Sequence, residues 1–262
     1  MINSPLGDCK TAELHLADRI QAGGVLVVAD ADSGLIRAVS GNSAELLDQP
    51  PEALLGTDWR RFQEPMPIRV NPQAPVAGVR LDLIDLGGRR LQVAHHRSGA
   101  HLIFELMPAP KRDEALERED EAAELSSSIA EFSGIDDEVE TAAALMRAVA
   151  RITGYDRVMV YRFLPDWHGE VVAEALAPGV EGFLGLRFPA GDIPPNARRL
   201  YLVKRQRVVP SISDESVPVL ADQPGLAVDL TWSELRAVHP VHLQYLRNMG
   251  VEASFSVSIV VA

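Results

Sequence analysis

The chain has 262 residues, 47% hydrophobic and 24% charged, enough to fill one large or two ordinary globular cores. Its formal net charge of −12 argues against nucleic acid or an anionic membrane as a general partner, and no apolar run approaches the length of a membrane span. A single cysteine, Cys9, excludes an internal disulfide and a cysteine-based metal site, and the opening residues lack the basic start and apolar core of a secretory signal, so a cytoplasmic location is the default.

Residues 1–17 read as an irregular arm. To act as a nucleophile, Cys9 would need a nearby His or helix N-terminus; His15 is the nearest His in sequence. Gly24–Asp30 is an apolar run ending in turn residues, a buried strand, and Leu35–Ser40 returns to form a hairpin. Asn42 or Ser43 is placed to cap a short helix that Pro50-Pro51 ends. Pro65, Pro67, Pro72 and Pro75 mark a loop. Three strands are predicted over Val79–Leu86, Arg90–His96 and His101–Met107, with turns at Gly87-Gly88 and Ser98-Gly99. This α+β layout around one antiparallel sheet, over residues 18–110, suits a small sensor domain of the PAS type.

Residues 111–135 are charge-dense and read as a solvated connecting helix, with a dimer-contact helix as the alternative. The second domain is assigned to 136–262. Asp136 or Asp137 caps a helix whose apolar face is predicted to be Ala142, Leu145, Val149 and Ile152, and Gly154 stops it. A strand over Asp156–Phe163 turns at Asp166–Gly169 and returns over Glu170–Ala175. In Phe188–Tyr201, Pro194 and Pro195 fix φ ahead of a helix reaching about Lys204. Asp192 stands on that stiff loop as a helix cap or as a ligand-facing carboxylate. A β-rich stretch Gln206–Ser213 follows. Ser233 is placed to cap a helix running into Arg236 and Val238, and Pro240 starts another that Gly250 ends. Ala253–Ala262 reads as a final strand with Ser254, Ser256 and Ser258 on one face. This too is α+β and resembles a GAF domain. Its apolar end, Ile259–Ala262, reads as an unprotected edge, so the domain is expected to be incomplete at its C-terminus.

The second domain places Asp192, Tyr201, Arg207, Arg236, His239, His242, Ser254 and Ser256 among apolar neighbours. That set is rich in cationic and hydroxyl donors and poor in acids, which suits a bound dianion. Tyr161, Phe163, Phe183, Phe188 and Tyr201 could wall a flat conjugated ligand, or could simply be core; the two histidines could be ordinary helix-end residues. His239 and His242 lack the spacing of a zinc protease pair, and no glycine loop would cradle a nucleotide. No catalytic or metal-ligating set is assigned.

Four runs carry a resemblance: Gly154–Phe163, the Phe188–Pro194 loop, Ala197–Tyr201 and Val241–Val251 are similar, in order and spacing, to the chromophore-binding GAF domain of phytochromes. Cys9, His15 and Ile20-Gln21 resemble the N-terminal arm and PAS domain of the bacterial, biliverdin-binding members. The resemblance implies a red/far-red photoreceptor holding biliverdin, a linear tetrapyrrole, in the GAF pocket, with Cys9 in a thioether to the ring A vinyl group. Asp192, with Ile193 and Pro194, would lie against the pyrroles and reach ring D. Arg207 and Arg236 would grip the ring B propionate. His242, Ser254 and Ser256 would face ring C, Tyr161, Phe188 and Tyr201 would surround ring D, and His239 is a further pigment-binding candidate. It further implies an arm threaded through a GAF loop as a figure-of-eight knot, a homodimer, and a downstream PHY or other output domain or response regulator. The sequence departs from the family pattern at Ala22-Gly23-Gly24, where Pro-His-Gly is usual, and at Gly191 and His239, where Ser is usual. The alternative reading is an apo PAS–GAF signalling or dimerisation module.

Overall fold

A computed structural model describes residues 12–62, 80–109, 135 and 137–260. Cys9, the proline-marked loop and the predicted connecting helix lie outside these residues. The chain divides into two compact units, residues 1–109 with 195–262, and residues 110–194.

The first unit is built on one antiparallel sheet. Its strands from the first hundred or so residues are β1 (Arg19–Ile20), β2 (Val25–Asp30), β3 (Ile36–Ser40), β4 (Arg80–Leu86), β5 (Arg89–Ser98) and β6 (His101–Pro108). The apolar run of β2 tolerates no solvent because the sheet is covered on both faces. Alternate residues Val25, Val27 and Ala29 join Trp59, Phe62, Phe104 and the short helices α1 (Ala44–Leu47) and α2 (Pro51–Leu54). Leu26 and Val28 face the other way, onto Ile20, Ile103, Val228, Leu230 and Leu235. At about 25 cal/mol per Å² of apolar area, this two-sided burial is the largest stabilising contribution in the unit. Gly87 and Gly88 both have positive φ, 58° and 75°, as the two-residue turn between β4 and β5 demands. Ser43 occupies the N-cap position of α1 but does not cap; its hydroxyl donates to the Gln49 carbonyl at 2.8 Å.

The same unit contains the chain from Pro195 onward. Its elements are α4 (Pro195–Val203), β10 (Gln206–Val209), β11 (Val217–Ala221), α5 (Pro240–Asn248) and β12 (Ser254–Val257), numbered after the elements of the second unit. β11 inserts between β1 and β3, giving the order β1-β11-β3-β2-β6-β5-β4, while β10 and β12 pair as a separate antiparallel ribbon. The predicted helix at Ser233–Val238 is replaced by an irregular turn. The Ser233 hydroxyl accepts from the Arg236 amide at 3.1 Å as a cap would, but it also donates to a buried carboxylate on β6, Glu105, which takes the next two amides, and no helix follows. The last strand is shorter than predicted, four residues.

The second unit packs α3 (Glu138–Thr153) on β7 (Arg157–Phe163), β8 (Gly169–Leu176) and β9 (Arg187–Phe188), an antiparallel sheet of order β7-β8-β9. Asp137 caps α3, its carboxylate accepting from the Glu140 amide at 2.8 Å, and Gly154 closes the helix at φ 66°. The residues of α3 that are buried are Ala144, Met146 and Ala148; of the predicted face, Ile152 is exposed.

Candidate functional site

In the first unit, β10 and β12 bring the predicted polar residues of both strands together. Arg207 lies opposite Ser256 and Val209 opposite Ser254, so the arginine and Ser256 share one face of the ribbon. The Arg207 guanidinium reaches the turn at 233–236: Nη1 donates to the Glu234 carbonyl at 3.3 Å and Nη2 to the Arg236 carbonyl. Arg236 is buried. Its backbone bridges to Ile20 and its Nη1 donates to the Leu14 carbonyl at 3.4 Å.

These arginines meet carbonyls rather than acids. Among the described residues neither has a carboxylate within ion-pair distance. Burial pushes Arg207 down to about 10, and the charge of Arg236 pushes it further the same way; Tyr201, Glu105 and Glu234 act in the opposite sense. Burial lowers Arg236 as well. His242 is lowered first by burial and then by the charges of Arg207 and His239, so it is held neutral. The result is a concentration of positive charge in a low-dielectric setting with hydroxyls beside it, which is the chemistry of an anion site. Tyr201 on α4 lies close enough to both arginines to favour their charged forms. His239 is the N-cap of α5, its Nδ1 accepting from the Val241 amide at 3.3 Å, and so has the helix-end role.

The turn that aims these groups is held by residues that sequence reasoning missed. Glu105, fully buried on β6, accepts from the Leu235 amide at 2.6 Å, the Glu234 amide at 2.9 Å and the Ser233 hydroxyl. Lys204, also buried, pairs with Glu234 at 2.7 Å and donates to the Trp232 carbonyl at 3.0 Å. Gln21 donates its amide to the Leu235 carbonyl at 2.7 Å and its Nε2 to the Glu234 carbonyl at 3.1 Å. The available signal was a lone acid in the apolar run Leu102–Met107, which alternation alone would place on a solvent face.

The arm enters this unit too. Asn196 Nδ2 donates to the Ala12 carbonyl at 2.8 Å, and the Leu230 amide donates to the His15 carbonyl at 2.8 Å. Cys9 itself lies outside the described residues.

In the second unit, Tyr161 stacks edge-on against Phe163 at 5.3 Å and lies 5.9 Å from Phe188, which in turn lies 6.3 Å from Phe183. The Tyr161 ring covers Gly169, where any Cβ would collide with it. Asp192 is exposed in a turn, its amide donating to the Pro189 carbonyl at 3.1 Å; Ile193 and the buried Pro194 follow. Because the helix begins at Pro195, Asp192 stands outside the capping position.

Comparison with known proteins gives two family matches, a PAS fold over residues 9–109 and a GAF domain over residues 137–262. The bacteriophytochrome of Xanthomonas campestris pv. campestris is 37% identical over 265 residues, covering 97% of this chain and 41% of that protein. The phytochrome-like protein Cph1 of Synechocystis is 34% identical over 284 residues, covering 97% and 36%. The chain thus spans less than half the length of these curated relatives. The solved chromophore-binding domain of Stigmatella aurantiaca phytochrome P1 superposes with a TM-score of 0.83 at 32% identity, covering 97% of this chain and 86% of that one. The corresponding domain of the bacteriophytochrome RpBphP3 from R. palustris gives 0.81 at 30%, with 97% and 85% covered.

Proposed function

Because this chain belongs to the phytochrome family, as its PAS–GAF chromophore-binding region, we propose that it senses red and far-red light through a covalently held bilin, biliverdin. One observation carries the reading: Arg207 and the buried Arg236 are hydrogen-bonded to carbonyls and lack a carboxylate partner among the described residues. A ligand bearing carboxylates on a flat apolar body satisfies that need, and a bilin with its propionates is such a ligand. Relatives solved as chromophore-binding domains support the assignment.

The bound bilin supplies light absorption and the isomerisation that follows. The chain supplies orientation and electrostatics. Arg207 and Arg236 take the ring B propionate, the planar forks matching a carboxylate. His242, kept neutral by burial and by Arg207, donates or accepts towards ring C together with Ser254 and Ser256, and His239 holds the helix that presents it. Tyr201 buttresses the two arginines. In the second unit, Tyr161 and Phe188 wall ring D, and Asp192, Ile193 and Pro194 form the loop that offers backbone carbonyl and carboxylate to the pyrroles. Cys9 holds the ligand by adding its thiol S–H across the ring A vinyl double bond. Support comes from the arm: Ala12 is fastened to Asn196, and three residues of chain span at most about 11 Å.

The threading of the arm as a figure-of-eight knot is part of this proposal. It is supported by the hold on the arm from the chain after Pro194: the Leu230 amide, between β11 and α5, donates to the His15 carbonyl, and the Asn196 side chain to the Ala12 carbonyl. Signal leaves through a PHY or other output domain, or a response regulator, with a homodimer as the working assembly. The greater length of the relatives supports an output beyond this region.

The test is to incubate the protein with biliverdin and separate it under denaturing conditions. A pigment that stays on the chain and disappears in Cys9→Ala is expected. A wild-type chain that releases all its pigment overturns the covalent reading, and one that takes up none supports the apo signalling module instead.

A further inference from the structure

We propose that Glu105, a residue of the PAS sheet, is a positioning residue for the anion site of Arg207 and Arg236. The proposal rests on the propionate reading above. The geometry runs in three links. First, the Glu105 carboxylate collects three donors from consecutive residues: the Ser233 hydroxyl and the amides of Glu234 and Leu235. Successive amides converging on one anion make a nest, and the carboxylate takes the place of a solvent or ligand anion there. Second, the hydroxyl so oriented accepts from the Arg236 amide at 3.1 Å, so the backbone carrying the buried arginine is fixed through Ser233. Third, the carbonyls of Glu234 and Arg236, on the same turn, are the acceptors that aim Arg207.

Several features argue that the carboxylate does more than fill a gap. All three contacts come from donors, so the ionised form satisfies every one, whereas a proton on Oε2 would face the Glu234 amide. Glu105 is fully buried, yet among the described residues it has no ion pair: the nearby cation Lys204 is bonded to Glu234 instead. Burial raises the Glu105 carboxyl while the three donors oppose that, and in its ionised form it favours the charged forms of both Arg207 and Arg236. A group that shaped the turn alone could be neutral; this one also supports the charge that the ligand would meet. Nothing in the GAF stretch of the sequence could reveal it, since the residue lies 128 positions before Ser233.

In a Cys9→Ala background, which keeps binding reversible and serves as the wild-type reference below, the experiment measures dissociation constants for biliverdin and for biliverdin dimethyl ester, whose propionates carry no charge, by absorbance titration. The readout is the acid-to-ester preference, which separates loss of carboxylate recognition from a general loss of fold. Wild-type protein is expected to prefer the acid by about tenfold or more, and Arg236→Ala to abolish that preference. Glu105→Gln, which keeps the volume but turns an NH₂ towards a donor, is expected to reduce the preference several-fold, and Glu105→Ala to reduce it further. If Glu105→Ala does not fold by circular dichroism, Glu105→Gln decides alone. If the preference is present in wild type and lost in Arg236→Ala but unchanged in the Glu105 variants, the propionate reading stands and Glu105 is merely structural. If wild type itself shows no preference, the propionate reading fails and the role of Glu105 fails with it.

Discussion

The carboxylate of Glu105 accepts the Leu235 amide at 2.6 Å, joining a strand of the PAS sheet to a turn 130 residues further along the chain. Leu235 itself is buried on the face of that sheet beside Leu26, Val28 and Ile103. Polar and apolar contacts therefore fasten the same turn, and removing the carboxylate strands donors that water does not reach. Glu105→Leu is expected to destabilise the protein by about 3 kcal/mol, read as a lower urea midpoint with an unchanged slope. An unchanged midpoint would mean that the turn is held by its apolar side chains alone.

His96 provides a pH test. It is buried on β5, and neither ring nitrogen has a hydrogen-bond partner among the described residues. Burial, then the charge of Lys204, lowers it from 6.5 to about 4; Asp229 opposes this and His95 adds to it. The folded state therefore resists protonation. Its contribution is complete above pH 6.5 and is lost as pH falls towards 4, about 3 kcal/mol at roughly 1.4 kcal/mol per pH unit. Glu105 runs the other way: burial raises its carboxyl, so its contribution is present below about pH 4.5 and is lost as pH rises through the raised value. Stability measured from pH 7 to 4 is expected to fall in wild type and to fall much less in His96→Leu. Equal slopes in the two proteins would contradict the assignment.

His242 reports on Arg207. After burial, the arginine's charge is the next largest influence lowering the imidazole. In Arg207→Met the imidazole is expected to titrate at higher pH than in wild type, followed by NMR of the ring protons. A value that stays put or falls would separate the two side chains and weaken the case for one anion site.

Gly169 and Tyr161 test the aromatic wall of the second unit. A Cβ at 169 would enter the space of the Tyr161 ring. Gly169→Ala is expected to cost about 1–3 kcal/mol and to swing the tyrosine away from Phe163 and Phe188. Differential scanning calorimetry gives the cost, and near-ultraviolet circular dichroism gives the change of ring environment. A variant that melts with wild type and keeps its aromatic signal would show that the ring yields freely.

Much of the fold was legible because its signals are local. The turn at Gly87-Gly88, the Asp137 cap, the Gly154 stop and strands β2 to β8 each follow from a few neighbouring residues. What escaped depends on distant chain. Val217–Ala221 contains Pro218 and carries no predicted element, yet it adds to the PAS sheet, where β1 and β3 supply its partners. Ser233 has the sequence signature of a helix cap and its hydroxyl accepts the Arg236 amide, but the amides of Glu234 and Leu235 go to Glu105 and no helix follows. At the candidate site, Arg207, Arg236, Tyr201 and His242 were singled out because their residue types suit an anion, and in the structure Arg207 bonds the carbonyl of Arg236 while His242 feels the charge of Arg207. The support beneath them was invisible, since a buried acid and its donors lie in different parts of the sequence.

The most direct test of light sensing is the absorption difference spectrum of the biliverdin-loaded protein after alternating red and far-red illumination. The account expects bands that exchange and return over repeated cycles, and bands that are weakened in Arg207→Ala and Arg236→Ala. A loaded protein whose spectrum does not change under either light would contradict it.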